Sequence, residues 1–293
     1  MKKSKPRKAK RAAVKRRARP ATPRVVIVGF GRLGGAIAIG LDQAGWDVSA
    51  FPRSGDAVRR AASFRIRLAD HDDLRLADLC VLAVPDGAVA QVTEQLEDDL
   101  GPDTALVHLS GALPLATFAK ARTARAFGSF HPLVAVSDPR DELSGHSVAV
   151  ASTSRELKGQ LMAMAAALGL EPIEVPETGR AAYHAGAVLS AGLVVSLADA
   201  GVSALEHAGL DRTAALHALL PLMRSALRGM ESRGLEKGLT GPVVRGDVGV
   251  VQSHLEALPP ELGSLYRLLS RRALRLTATL PAETRLALER LLM

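Results

Sequence analysis

The chain has 293 residues, of which 47% are apolar and 3% aromatic: enough for one or two buried cores, and too few exposed rings for a stacking platform for single-stranded nucleic acid. Its formal charge of +8 is concentrated at one end, because residues 1–23 hold eleven of the 38 Lys and Arg and no acid, leaving 27 basic against 30 acidic side chains elsewhere. A single cysteine, Cys80, excludes an intrachain disulfide, and with no long charge-free apolar span the expectation is a cytoplasmic protein without a membrane segment.

In chain order, residues 1–23 come first. They are too poor in apolar side chains to offset the entropy of ordering, so they are read as a disordered basic tail. They lack the apolar core of a secretory signal. The tail is either a solubilising leader or an arm making weak, nonspecific polyanion contacts by releasing counterions. From Arg24, short β-branched runs alternate with helical segments. Strands are expected at Val25–Val28, Asp47–Phe51, Phe64–Leu68, Leu79–Val84, Ala105–Leu109, Ala124–Phe130, Ser147–Ala151 and Pro172–Val175. Helices are expected at 31–44, 87–96 (with Asp86 as its cap) and 154–168. Such alternation implies right-handed crossovers and a mostly parallel sheet. Beyond Thr178 the strand signals stop. One long apolar helix over 179–208 is read as a core helix, followed by helices near 212–230, 247–257, 260–275 and 281–292. The expected organisation is a tail (1–23), an α/β domain with a doubly wound sheet (24–177) and an all-α domain (178–293).

The sharpest motif is Val25-Val26-Ile27-Val28-Gly29-Phe30-Gly31-Arg32-Leu33-Gly34, a G-x-G-x-x-G turn that leaves a strand and opens a helix. Gly29 permits the tight turn, Gly31 lets backbone approach a pyrophosphate, and Gly34 lets helix and strand pack closely. The helix N-terminus then offers N–H groups and a positive dipole end to phosphate. A dinucleotide cofactor is therefore expected on Gly29, Phe30, Gly31, Arg32, Leu33 and Gly34. Where an NAD site would place a carboxylate after the second strand, this chain has Phe51-Pro52-Arg53-Ser54. Arg53 and Ser54 suit a 2′-phosphate, so NADP(H) is favoured over NAD(H). Val84 and Pro85, at the end of the fourth strand, should flank the nicotinamide half. Asp86 beside them is a helix cap or an acid.

Two further strand ends read Val107-His108-Leu109-Ser110-Gly111 and Gly128-Ser129-Phe130-His131-Pro132. A histidine there could move or hold a proton during hydride transfer, or serve only as a hydrogen-bonded structural residue. Tyr183 and His184 open the long helix. The eight histidines are dispersed and suggest no metal site, and no G-x-S-x-G elbow supports a hydrolase. Arg245-Gly246-Asp247 spells an adhesion tripeptide, but its setting after Gly241-Pro242 reads as a turn that either caps a helix or aims Arg245 and Asp247 at a site.

Taken in order, G-x-G-x-x-G, A-V-P-D, H-L-S-G, S-F-H-P-L, Y-H-A and T-G-P-x-x-R-G-D resemble a bacterial family that joins a Rossmann-like half to a C-terminal helical domain of unknown function (DUF2520). The likeness runs from Arg24 to about Leu276. The wider superfamily includes pyrroline-5-carboxylate reductases, 6-phosphogluconate dehydrogenases and prephenate dehydrogenases. The resemblance implies NAD(P)-dependent hydride transfer, a homodimer through the helical domain, and an active site completed by that domain. S-F-H-P-L is similar to the histidine-proline motif of prephenate dehydrogenases, which implies that His131 polarises the substrate. On this reading Ser110, His131 and His184 are catalytic, while Gly111, Tyr183, Arg245 and Asp247 bind a small, carboxylate-bearing substrate. Gly192 stands where the family usually has Asn, which leaves a non-catalytic NADP(H) sensor or partner-binding protein as the alternative.

Overall fold

The computed structural model describes residues 22–119, 121, 125–277 and 279–293, so the basic tail up to residue 21, and residue 124 of the expected strand 124–130, lie outside the described residues. The chain divides into two compact units, the first ending at Val188 and the second spanning Leu189–Met293.

The first unit is a seven-stranded sheet. Its elements are β1 (Val25–Val28), α1 (Arg32–Gln43), β2 (Val48–Phe51), α2 (Gly55–Ser63), α3 (His71–Leu76), β3 (Leu79–Leu82), α4 (Val89–Leu96), β4 (Ala105–His108), β5 (Phe127–Pro132), β6 (Ser147–Ser152), α5 (Arg155–Ala167), β7 (Glu171–Ile173) and α6 (Arg180–Ser190). The strand order is β2-β1-β3-β4-β5-β6-β7. All neighbours are parallel except β5 and β6. The four residues of β1 and of β3 are wholly buried, as expected of parallel strands covered on both faces. One face packs Val25, Ile27, Val81, Val107 and Phe130 against α1 and α5; the other packs Val26, Val28, Cys80, Leu82 and Leu106 against α3 and α4. Local signals set the boundaries. Ser154 caps α5 through the Leu157 N–H at 3.1 Å, and Asp70 with Asp73 forms a capping box on α3.

Three expectations change. Phe64–Leu68 is no strand. Arg65 turns left-handed (φ 59°) and only an isolated bridge joins Leu68 to Ala50. Asp86 does not cap the next helix: residues 86–88 form a 3-10 turn and α4 starts at Val89, with no side-chain cap. The long helix expected over 179–208 breaks at Ala191 (φ −123°, ψ −79°) into α6 and α7 (Gly192–His207).

The second unit continues with α8 (Arg212–Gly238), α9 (Pro242–Arg245), α10 (Val248–Ala257), α11 (Pro260–Arg275) and α12 (Ala282–Leu291). Its compact core is small: Val243, Val251, Leu274, Leu288 and Leu292. The segment Glu177–His207 is long and apolar enough to cross a membrane, and only 6% of its most apolar window is buried. It is therefore not the core helix expected from composition. Val195 and Leu222, on α7 and α8, are 71% and 64% exposed. Apolar content told that this segment seeks burial, and nothing in the order of its residues told whether the cover lies within the chain.

Candidate functional site

The glycine turn sits where the strand order reverses, with β2 on one side of β1 and β3 on the other, which is where doubly wound sheets bind ligands beyond their carboxyl ends. Gly29 has φ +94°, and a Cβ there would lie 2.5 Å from the Ala83 carbonyl oxygen at the end of β3. A Cβ on Gly34 would lie 2.6 Å from the Ala83 Cβ, so both glycines let α1 and the two strand ends meet. Gly31 differs: among the described residues nothing lies within 4 Å of a Cβ built on it. The space a side chain would fill is open, and Gly31 opens α1 without any side-chain cap on the helix's free N–H groups. Residues 29–34 thus fit a pyrophosphate on geometry as well as on pattern.

Around this turn, Arg53 donates from Nη2 to the Gln95 Oε1 at 2.8 Å, which fixes one edge of its guanidinium and leaves others exposed. Ser54 caps α2 by accepting the Ala57 N–H at 3.2 Å, so its hydroxyl proton stays available. Arg60, passed over in the sequence, donates from Nε to the Phe30 carbonyl inside the glycine turn at 3.2 Å. Val84 is half-buried and Pro85 exposed, directly after Ala83, which the glycines touch.

The second half of the site is built on β4, β5 and α6. His108 and Ser129 are register partners on adjacent strands, and His131 follows Ser129 by two positions on the same face. Over them lies α6, whose less exposed positions are Arg180, Tyr183, His184 and Ala187, the spacing of one helical face. Two contacts fix it. The guanidinium of Arg180 donates to the Ser129 hydroxyl, and the Tyr183 hydroxyl is 2.8 Å from His131 Nδ1. His184 crosses the His131 ring edge-on, with centroids 5.8 Å apart. Gly111 presses on the same ring, since a Cβ there would lie 2.7 to 2.9 Å from three of its atoms.

Ser110 is nearly buried. It donates its proton to Asp86 Oδ2 at 2.7 Å and accepts the Ala112 and Leu113 N–H groups at 3.1 and 3.0 Å. Its bonding capacity is spent on joining the ends of β3 and β4. Glu177 accepts from Arg180 Nε at 2.9 Å and from the Leu115 N–H at 3.2 Å.

The electrostatics keep His131 and His108 neutral. Burial lowers His131 to about 4, assisted by His184 and Arg180 and opposed by Asp86. Burial likewise lowers His108 to about 4, with Arg180 adding to it. His108 is fully buried against Phe118, and among the described residues neither of its ring nitrogens has a partner. Burial raises the Tyr183 hydroxyl above its ordinary value, so it stays protonated.

Of the residues singled out in the sequence, the structure gathers Ser110, Gly111, His131, Tyr183 and His184 at the carboxyl end of the sheet. Arg245 and Asp247 belong to the helical unit, where Arg245 Nε pairs with Asp247 Oδ2 at 2.8 Å. Asp247 opens α10 without a side-chain capping bond, and left-handed Gly246 turns the chain between α9 and α10. The sequence reading missed Arg180, Glu177 and Ser129. The signal was there in part, since Glu177 and Arg180 are three apart, and Arg180 and Tyr183 share a helix face with His184. Among the described residues no group of His, Cys, Asp and Glu could hold a metal ion. A separate cavity of about 610 Å³ lies between α1, α5 and residues 139–144, and none of the site residues named above lines it.

Comparison with known proteins agrees with this architecture. A family model described as a Rossmann-like domain matches residues 9–126, and one described as a domain of unknown function (DUF2520) matches residues 147–273. A Bacteroides fragilis protein described as a candidate NADP oxidoreductase superposes with a TM-score of 0.73 at 22% identity, over 87% of this chain and 98% of its own. A Thermotoga maritima protein gives 0.67 at 24%, over 86% and 98%. A 1-pyrroline-5-carboxylate reductase from Streptococcus pyogenes gives 0.63 at 15%, over 87% and 99%. No curated protein matches the sequence. At these identities the structural likeness is one of fold. The chain is thus a two-domain protein of the kind its motifs resemble, a Rossmann-like domain followed by a DUF2520 domain.

Proposed function

We propose that the protein is an NADP(H)-dependent oxidoreductase acting on a small carbonyl, hydroxy or imine substrate. The observation that carries this is the His131 ring, held by Tyr183 and flanked by Gly111, on the same carboxyl edge of the sheet as the open Gly31 turn. NADPH, when bound, supplies the hydride. The N–H groups of residues 31–34 hold its pyrophosphate, Arg53 and Ser54 meet the 2′-phosphate, and Val84 and Pro85 flank the nicotinamide. His131 is neutral near pH 7, so it acts as a hydrogen-bonding group and not as an imidazolium acid. In the tautomer that accepts the Tyr183 hydroxyl proton at Nδ1, the Nε2–H is left to polarise a carbonyl or imine. The names of the B. fragilis and S. pyogenes neighbours, both oxidoreductases, support the same class of reaction.

We also take the helical unit to form a homodimer, since the exposed apolar side chains of α7 and α8, Val195 and Leu222 among them, need cover. Light scattering at micromolar concentration should give twice the chain mass.

The enzyme reading is tested by following nicotinamide absorbance with NADPH and a panel of 2-oxo acids, 3-oxo acids and cyclic imines. Turnover that disappears in His131→Ala, with NADPH affinity kept, supports it. NADPH binding with no turnover on any compound favours the non-catalytic sensor, and no NADPH binding removes both.

A further inference from the structure

Arg180 is a strongly buried cation in the polar row over β4 and β5: its side chain is 3% exposed. Burying a guanidinium is costly unless its donors and its charge are both answered. Here they are answered incompletely. Nε bonds Glu177, whose side chain is 45% exposed and therefore half in water. Nη2 bonds the neutral hydroxyl of Ser129. No hydrogen bond from Nη1 is made among the described residues. Beside it, His108 is wholly buried, with neither ring nitrogen partnered among the described residues. This corner of the unit holds more unspent polar capacity than a packing role requires.

The geometry points to Arg180 as the anchor for a substrate carboxylate, placed so that the adjoining carbonyl or imine carbon lies against the His131 ring. The proposal rests on reading His131 as the group that meets the substrate. It adds a substrate class: acids with the reacting C=O or C=N next to the carboxylate. Ser129, which Arg180 touches, and His131 are two positions apart on one face of β5, a repeat of about 6.6 Å. A carboxylate and a carbonyl joined by one C–C bond, each taking one hydrogen bond, span such a gap. A planar guanidinium also suits a carboxylate better than an ammonium does. The anchor lies in the same compact unit as His131, which the Arg245 of the sequence reading does not.

The probes are pyruvate and methyl pyruvate, in which an ester methyl replaces the negative charge and the 2-oxo group is kept. Binding to the NADPH-loaded full chain, labelled with ¹³C-histidine, is read from the His131 ring resonance, and NADPH affinity is measured separately for every variant. Wild type should prefer pyruvate to its ester by about tenfold or more. Arg180→Gln should erase that preference and Arg180→Lys should keep part of it. Glu177→Gln removes the competing carboxylate and should tighten pyruvate binding, a sign that a merely structural Glu177–Arg180 pair does not produce. An unchanged preference in Arg180→Gln, or weaker pyruvate binding in Glu177→Gln, overturns the proposal. If Arg180→Gln does not fold, Arg180→Lys and Glu177→Gln still decide it. NADPH binding with no response of His131 to pyruvate in wild type overturns the anchor and spares the cofactor reading. Absence of NADPH binding overturns the cofactor reading, and the same titration without NADPH then decides the anchor.

Discussion

The two faces of the sheet follow different rules. On one, Ile27, Val81, Val107 and Phe130 continue an apolar surface across four strands. On the other, one row of register partners runs Val28, Leu82, His108, Ser129: apolar on β1 and β3, polar on β4 and β5. Helices cover both faces, so burial alone does not explain the change. A histidine with no partner and a buried arginine cost stability where Val or Leu would add it. On the proposed function, polar groups kept at such a cost serve binding or chemistry, and they stand on the same carboxyl edge of the sheet as the glycine turn.

The contrast can be broken by substitutions on either face. The largest stability effect should come from the apolar side: Phe130→Ala is expected to cost about 3–5 kcal/mol in urea unfolding, whereas His131→Ala, its chain neighbour, should cost far less. A comparable loss at both positions would erase the distinction. Next is acid sensitivity. His108 has a folded value of about 4 against an ordinary 6.5, so below 6.5 the unfolded chain takes up protons that the folded one refuses. Stability therefore falls as pH drops from 6.5 toward 4, by on the order of 3 kcal/mol for this fully buried ring. His108→Leu should flatten that slope, as read from urea midpoints at pH 7.5 and 4.5; an unaltered slope would assign the acid sensitivity elsewhere.

Gly111→Ala sharpens the comparison within the polar row. Its Cβ would displace the His131 ring, so turnover should drop roughly ten- to a hundredfold while unfolding stays cooperative. Smallest is Arg53→Ala, expected to raise the Kd of NADPH about tenfold and leave NADH unchanged. Equal effects on the two nucleotides would remove the 2′-phosphate assignment.

Much of the first unit was legible because its signals are local. The β1–turn–α1 run carries its own glycine spacing, and Ser154 announces α5. The site was legible only in fragments. His131 and Gly111 stand at strand ends, and Tyr183 and His184 open a helix, but their meeting depends on the antiparallel turn from β5 to β6 and on α6 returning over β5. Arg180 looked like one basic residue among 38 until packing enclosed it. Asp86 misled for a physical reason: a carboxylate before a helix is usually a cap, yet here the Ser110 hydroxyl reaches it first. The break at Ala191 had no Pro to announce it, and its neighbour Gly192 reads as well inside a helix as at the end of one.

The central claim is that the glycine turn and the polar row form one site. It is tested most directly by titrating NADPH into the ¹⁵N- and ¹³C-histidine-labelled protein. The account predicts that the Gly31, Arg32 and Leu33 amides and the His131 ring shift together with a single Kd, while Gly40 and Gly169, which line the separate cavity, stay still. Shifts confined to Gly40 and Gly169, or glycine-turn shifts with a silent His131, would contradict it.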